Sequence, residues 1–437
     1  MKSSRLKSFN YAIGMFGTSI PINLLKTFAA SFFVKDLGLI TAAQWASVLF
    51  IYTFIDAIDN PVYGYLSDRT RTKWGRRKPW LVIGTPLLVL GLIAFYSPAS
   101  FLTGKSALAW VMLFYIFTGT LDSVINANYG ALFPELFPDD ASRAKTNALR
   151  QAFQLVAMII SIALTPIVAE KLGFSLTAII YGILGGVVIL YMALTSKERP
   201  IEPDEKKPKL WESIKSLITN WKFWIAGFAN AFYSATMSLV LAALPFFADY
   251  RLGISSIQQT ILFATVLLIA IGSVAIWAMF VRKYALIPVW RAALITLTLS
   301  FIPLYFANTF ILAIICSALV GFGFAGAITT MDLVHAKIMD EDRLKHNVRR
   351  EGIIANALGF MNRLNGLFTS LAFLLITRFF GFVSGEQPGP QPDQASLFLL
   401  TVFPFVLSAI SVVFAFILKF PEDTSLSPET IETELIG

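Results

Sequence analysis

Long apolar stretches alternate with short polar intervals along almost the whole chain. Twelve stretches are read, at about 10–34, 43–66, 80–101, 107–132, 151–169, 173–195, 223–247, 257–281, 292–308, 309–331, 352–377 and 396–419. Each is close to the roughly 20 residues that a helix needs to cross the hydrocarbon of a bilayer. Lipid offers no partner to a backbone N–H or C=O, so helices, which satisfy these groups internally, are the expected form. The pattern predicts an all-α membrane protein of twelve transmembrane helices.

One long polar interval, SKERPIEPDEKKPKLWESIKSLITNWK at 196–222, separates two groups of six. Its prolines and charges read as a linker, with room for a short interfacial helix around 210–220. The chain therefore divides into a six-helix half at 1–195, a cytoplasmic linker at 196–222, a second six-helix half at 223–420 and a tail at 421–437, expected to be disordered. A six-plus-six plan predicts an internal repeat. DASRAKTNALR (140–150) and DEDRLKHNVRR (340–350) share Asp140/Asp340, Arg143/Arg343, Lys145/Lys345, Asn147/Asn347 and Arg150/Arg350. Each string is expected between the fourth and fifth span of its half.

Composition supports the membrane reading. A chain of 437 residues would ordinarily make about three soluble domains. With 56% hydrophobic and only 14% charged residues, it lacks the polar surface to cover them. The net charge of +8 raises nucleic acid as a partner, and its distribution removes it. With both termini cytoplasmic, only Lys35, Lys105, Lys171, Arg251 and Arg378 of the 35 basic residues fall on the far side, and only Lys26 and Arg363 within spans. That bias marks topology: a multi-pass protein of the cell membrane. The single cysteine, Cys316, lies in an apolar run, so neither a disulfide framework nor a zinc site is expected. The first apolar run is too long for a leader and lacks an A-x-A site, so it is read as a retained helix.

Five charges are read well inside spans: Lys26, Asp56, Asp59, Asp122 and Arg363. Each costs on the order of 3 kcal/mol at the centre of an inserted helix, so such side chains are expected to face the bundle interior. Asp56, Asp59, Asn60 and Tyr63 follow i, i+3, i+4, i+7 spacing on one helix face. Asp122 and Asn126 are one turn apart. Asn356 and Arg363 share a face of the eleventh span, where Gly352, Gly359 and Gly366 recur at the spacing of close helix packing. Taken singly, each asparagine reads equally well as an interhelical hydrogen bond. Lys26 lies about 12 Å from the outer end of its helix, within reach of snorkelling. Ion pairing with Lys26 and Arg363 alone leaves one acid over. One Na⁺, Li⁺ or H⁺ balances the set, and hard cations take carboxylate and carbonyl oxygen. The coupling cation is therefore expected at Asp56 and Asp59, helped by Asn60 or Asn126.

After Tyr65 the chain reads LSDRTRTKWGRRKPW, an acid followed by six cations in ten residues. This is either a topogenic cluster or a cytoplasmic hinge whose charges pair across the halves in one conformation. Gating candidates are Asp68, Arg71, Arg76 and Arg77, with Arg143 and Arg343 from the repeated strings.

The run Asp56-Ala57-Ile58-Asp59-Asn60-Pro61, then Gly64, Asp68-Arg69-Thr70-Arg71, Trp74-Gly75-Arg76-Arg77 and Pro79-Trp80, resembles the melibiose-permease-like glycoside–pentoside–hexuronide:cation symporters of the major facilitator superfamily. Gly14 and Gly17, YGALFPELFPDDASRA after the fourth span and VRREG (348–352) extend the likeness across the chain. The resemblance implies the major facilitator fold, with a solute between the halves and a cation site built from acids on the second and fourth helices. Asp56 matches the second-helix pattern, with Asp59-Asn60 in the reverse order of acid and amide. The fourth-helix acid falls on Asn126, with Asp122 one turn earlier as its substitute. The sugar-binding acid of the first helix falls on Ser19, the fifth-helix arginine on Arg150, the eleventh-helix lysine on Arg363 and the stacking aromatic on Gly130. Loss of that acid and aromatic counts against a galactoside. Lys26, on the face of Ser19, with Arg363 opposite, favours an anionic substrate such as a uronate or glucuronide. Lysophospholipid carriers resemble the same family, so an amphiphile stays open. The expected substrate-binding set is Ser19, Lys26, Asn126, Arg150, Asn356 and Arg363.

The expected function is cation (Na⁺ or H⁺):solute symport by alternating access, by a monomer with no cofactor beyond the coupling ion. A membrane enzyme is disfavoured, because His335 and His346 are the only histidines and neither has a metal-ligand partner or nucleophile at useful spacing. No phosphate-binding glycine loop points to ATP. The remaining alternative is an uncoupled solute sensor, which would bind ligand without cation-stimulated flux.

Overall fold

A computed structural model describes residues 2–137, 140–196, 220–346 and 358–420. The first span consists of α1 (Lys2–Ala12) and α2 (Gly14–Ala30), widened at its end by a π-helical turn, Ser31–Asp36. There follow α3 (Ala42–Arg69), α4 (Lys78–Phe95), α5 (Gly104–Leu136), α6 (Asp140–Met158) with its π turn Ile159–Ala163, and α7 (Thr165–Thr195). The second half contains α8 (Trp221–Phe247), α9 (Ser256–Tyr284), α10 (Leu286–Tyr305), α11 (Phe310–His346), α12 (Asn365–Phe380), α13 (Pro392–Leu397) and α14 (Phe403–Ile417). π turns at Ala248–Leu252 and Phe398–Val402 extend α8 and join α13 to α14.

Each of the twelve predicted stretches meets a helix. Among the described residues, nine helices are long and apolar enough to cross a membrane. The other three positions, α2, α3 and α6, are those whose polar residues lower their hydropathy, α3 through Asp56, Asp59 and Asn60.

Several boundaries differ from the sequence reading for local reasons. α4 stops at Phe95 rather than near 101, since Pro98 follows and the residue before a proline avoids helical torsions. The break expected at 169–173 falls at Gly173 alone, whose φ of 76° suits glycine. α10 starts at Leu286 instead of 292, after Ala285 at φ 68°. α11 continues to His346 instead of ending near 331, so the start of the second repeated string lies on α11 while the first string opens α6. The linker helix and the tail lie outside the described residues.

Within the first half, α5 packs on α3 and α4, and α7 on α2 and α4. In the second, α11 packs on α9 and α10, and α14 on α8 and α10. The halves meet where α3 lies on α12, α9 on α7 and the π turn after α6, and α2 on α8. Close approach requires small residues. A Cβ on Gly17 would lie 2.9 Å from the Gly185 carbonyl oxygen, and one on Gly185 would lie 2.8 Å from that of Gly17. Of the glycines repeating on the eleventh span, Gly366 fits this reading, since its Cβ would strike Thr53 Oγ1. Gly359 has nothing within 4 Å and does not fit it; Gly352 lies outside the described residues.

One end of the bundle is bolted across the halves. Ala42 N–H donates to the Val383 carbonyl and Gly385 N–H to that of Val34, both at 2.7 Å. Lys35 pairs with Asp36 at 3.0 Å and, across the halves, with Asp249. Gln259 donates to Asp249 at 2.5 Å. At the other end, Lys7 donates to the Leu136 carbonyl at 2.8 Å, Thr146 to Ser8 at 2.9 Å and Lys222 to Glu341 at 2.6 Å, each within a single half.

Gly185→Ala is expected to destabilise the protein by about 1–3 kcal/mol through overpacking against α2. Gly272→Ala, where an added Cβ meets nothing within 4 Å, should be neutral or slightly stabilising because alanine is the better helix former. Thermal unfolding of the two variants in detergent checks the contrast.

Candidate functional site

Helix α3 brings Asp56 and Asp59 into the bundle. Its start is set by Thr41, whose Oγ1 accepts from Gln44 N–H at 3.1 Å while Gln44 Oε1 accepts from Thr41 N–H at 2.8 Å, a reciprocal cap. Asp56 and Asp59 are 7% and 8% exposed, so neither faces lipid. Both turn toward α5. Thr120 donates to Asp59 Oδ2 at 2.9 Å, and Ser123 to Asp56 Oδ1 at 3.0 Å. Tyr52, one turn before Asp56 on α3, donates to the same Oδ1 at 3.3 Å. Its ring lies where a side chain on Gly119 would be, since a Cβ there would overlap Tyr52 Cε2.

The decisive partner comes from the other half. Arg363 donates through one guanidinium nitrogen to the Asp56 carboxylate, to its backbone carbonyl at 2.6 Å and to Ser123 Oγ at 3.3 Å. The pair is mostly buried, with side-chain exposures of 21% for Arg363 and 10% for Asp56. It lines a cavity of about 110 Å³ between the halves. Lys26 from α2, Trp45, Tyr52 and Thr53 from α3, Tyr115 from α5, Ser238 from α8, and Asn365 and Thr369 from α12 share its wall. Asn365 Nδ2 donates to Ser234 Oγ at 3.1 Å, joining α12 to α8.

The fourth-span pair also meets: Asn126 Nδ2 donates to Asp122 Oδ1 at 2.7 Å. Asp122 is buried and lies within electrostatic range of Lys26, Asp56 and Arg363. Among the described residues, no three acidic, histidine or cysteine side chains converge as a metal cage; the Asp56 carboxylate is instead engaged by a guanidinium.

Other candidates sit elsewhere. Ser19 is buried in α2 and does not line the cavity. It shares a helix face with Lys26, yet seven residues at about 1.5 Å each set it about 10 Å away in depth. Arg150 is clamped away from the cavity, in an aromatic box: its guanidinium lies 5.0 Å from the rings of Tyr129 and Phe133, and Nε donates to Tyr129 Oη at 3.2 Å. Asn356 and the side chains of Asn60, Asp68, Arg143 and Arg343 lie outside the described residues. In the basic loop, Arg71 is exposed and Arg76 half-buried. Arg77 is buried and donates to Ser67 Oγ at 2.7 Å, bracing the loop against its own helix. Gly75, at φ 110°, makes the turn between them.

The sequence reading missed the hydroxyl shell of Tyr52, Thr120 and Ser123, although Thr120 and Ser123 flank Asp122 in a plain run, TLDS. It also missed further charges within spans: Asp332 on α11, because that span was taken to end at 331, and Arg291 on α10, because that span was taken to begin at 292.

The profile of the MFS/sugar transport protein family matches residues 10–421. The chain belongs to this family. Among its relatives, the isoprimeverose transporter of Lactiplantibacillus pentosus is 24% identical over 93% of this chain and 87% of its own length. The putative sulfoquinovose importer of Salmonella typhimurium is 24% identical over 84% of this chain and 79% of its own. Of solved structures, an inward-facing, unoccupied bacterial homolog of the human lysosomal transporter Spinster superposes with a TM-score of 0.68 at 13% identity, covering 94% of this chain and 96% of that one. A point mutant of the nucleoside transporter NupG superposes with a TM-score of 0.68 at 11% identity, covering 95% and 98%. These superpositions show the major facilitator fold. This member of the MFS/sugar transport family is thus an integral, multi-pass membrane protein that carries a small-molecule solute, and it is not an enzyme.

Arg363→Ala leaves the Asp56 carboxylate buried without its cation and is expected to destabilise by about 3 kcal/mol. The double variant Asp56→Asn/Arg363→Gln should recover most of that loss, because no uncompensated charge remains. Thermal unfolding of the two variants in detergent reads the difference.

Proposed function

We propose that this carrier is a cation-coupled symporter of a sugar-like solute, driven by Na⁺, Li⁺ or H⁺ through Asp56 and Asp59. The observation that carries the reading is the Asp56–Arg363 contact. It sets a carboxylate of one half against a guanidinium of the other, in the wall of the cavity they share. Arg363 stands where an inorganic cation would otherwise balance Asp56.

Breaking a buried pair by removing one partner costs several kcal/mol, so Arg363 leaves cheaply only if another cation takes its place. Arrival of that cation frees the guanidinium and removes one tie between α3 and α12. Asp59, Asp122 and Asn126 supply further oxygen on the same side of the bundle, and hard ions favour such ligands. Rocking of the halves about this midplane site then exposes it to each side in turn. The bolted end, with Lys35 on Asp249, is the extracellular gate in this reading, since the basic-residue bias puts the opposite end in the cytoplasm.

A sugar-like solute is supported by the family and by relatives named for isoprimeverose and sulfoquinovose transport. The hydroxyl, amide and charged groups of the cavity also favour a polyol over a lipid chain.

Purified protein in proteoliposomes, with Na⁺ and pH gradients imposed separately, tests the proposal against a panel of sugars, uronides and lysolipids. One gradient should drive accumulation of a sugar-like solute. Asp56→Asn and Asp59→Asn should each bring cation-driven accumulation down to background while leaving solute exchange measurable. Full cation-driven accumulation by Asp56→Asn would refute the assignment.

A further inference from the structure

The basic loop after α3 closes on itself and displays charge. Thr72 Oγ1 donates to the Gly75 carbonyl at 2.8 Å and accepts from Trp74 N–H at 3.2 Å, while Gly75 N–H donates to the Thr72 carbonyl at 3.1 Å. Arg77 and Lys78 are held by the Ser67 hydroxyl and the Leu194 carbonyl. Arg71, Lys73 and Trp74 stand exposed on the tight turn, the indole by 64%. The 28-residue α3 is about 42 Å long, more than the roughly 30 Å of hydrocarbon, so the turn at its end lies outside the apolar layer. The described chain ends at this same face of the bundle, in the other half. There the Phe420 ring lies 4.7 Å from both the Lys222 and Lys337 ammonium groups. Arg291 donates to the Ala415 and Leu418 carbonyls at 3.0 and 2.8 Å just before it. The 17 residues that follow, 421–437, carry Glu422, Asp423, Glu429, Glu432 and Glu434 and no lysine or arginine.

We propose that the acidic segment 421–437 docks on the turn at Arg71, Lys73 and Trp74. Five acids without a base complement a loop in which one acid, Asp68, heads six cations. Leu426, Ile431 and Leu435 offer apolar contacts to the exposed indole. Reach is no obstacle: 17 residues extend to at most about 60 Å, against about 10 Å per packed helix. Single surface ion pairs are weak, but tethering holds the segment at an effective concentration in the millimolar range, so several weak pairs together keep it in place. Anionic headgroups of the cytoplasmic leaflet offer the same charge without the tether. The segment leaves from the second half and the turn belongs to the first. Docking therefore straps the halves together at the end opposite the Lys35–Asp249 bolt and supplies the basic loop with acids from across the bundle. The strap is independent of which solute or ion the carrier takes.

The test uses the full chain, one copy per nanodisc, so that every link is intramolecular. A carbodiimide joins carboxylates directly to lysine amines, and mass spectrometry identifies the linked peptides. In phosphatidylcholine nanodiscs at low ionic strength, Lys73 should be joined to Glu429, Glu432 or Glu434. Lys105, exposed at the opposite end of the bundle, should not be. In about 0.5 M salt, where the screening length is about 4 Å, the Lys73 yield should fall about fivefold or more. Arg71→Gln combined with Trp74→Ala should lower it about threefold. Acetylation of Lys73 is the second readout. Neutralising the segment (Glu422→Gln, Asp423→Asn, Glu429→Gln, Glu432→Gln and Glu434→Gln) should speed it about threefold or more and leave Lys105 unchanged. Absence of a link between Lys73 and the segment, a link indifferent to salt, or unchanged acetylation of Lys73 in the neutralised variant overturns the inference. Protection of Lys73 that requires phosphatidylglycerol and ignores the charge of the segment assigns the turn to anionic headgroups, and overturns it as well.

Discussion

A carboxylate and a guanidinium from opposite halves of the bundle share one buried contact, and the functional architecture is arranged around it. Asp56 cannot be left bare in a low-dielectric interior, so it collects donors from α3, α5 and the span of α12: Tyr52, Ser123 and Arg363. These partners explain several features that look unrelated in the chain. Gly119 is small because the Tyr52 ring takes its space, and Gly366 is small because α12 must lie against Thr53 for Arg363 to reach across. Even so, a buried ion pair is weak evidence of stability, because desolvation consumes most of the Coulomb attraction. In the proposed coupling, its value lies in being exchangeable.

The two ends of the bundle differ in a way that complements this centre. At one end, main-chain hydrogen bonds, the Lys35–Asp249 pair and the close approach of Gly385 to the Lys35 carbonyl tie the halves together. At the other, Lys7, Thr146, Lys222 and Arg77 bind partners in their own halves. The first half is internally braced there by the Arg150 aromatic box and by the loop turning at Gly75, and the second by Lys222 on Glu341. Rigid halves are what a rocking motion needs, because packed interiors shift between discrete arrangements and do not deform continuously.

Much of the fold was legible before any coordinates. Apolar runs of bilayer length dictate helices, since lipid leaves the backbone no other partner. The motif from Asp56 to Trp80 pointed to the family to which the chain belongs. The few charged residues within spans were likewise conspicuous, because each is expensive enough to need a reason. Where the reading slipped, the cause was local. A proline ended α4 early, Gly173 alone broke α7, and the expected end of the tenth span hid Asp332.

What the sequence determined by itself, then, was composition against lipid: which runs form helices, where charge is tolerated and which acids share a face. The partner of each charge was decided only by tertiary structure. Lys26 and Arg363 look equivalent in a list of intramembrane cations, and Ser19 and Lys26 look like neighbours on a helical face. Folding pairs Arg363 with Asp56, sets Lys26 in the cavity wall within electrostatic range of Asp122, and holds Ser19 at another depth and Arg150 among aromatic rings. Spacing along one helix specifies direction around that helix alone. Which charges meet depends on the depth and rotation at which another helix, hundreds of residues away, packs against it.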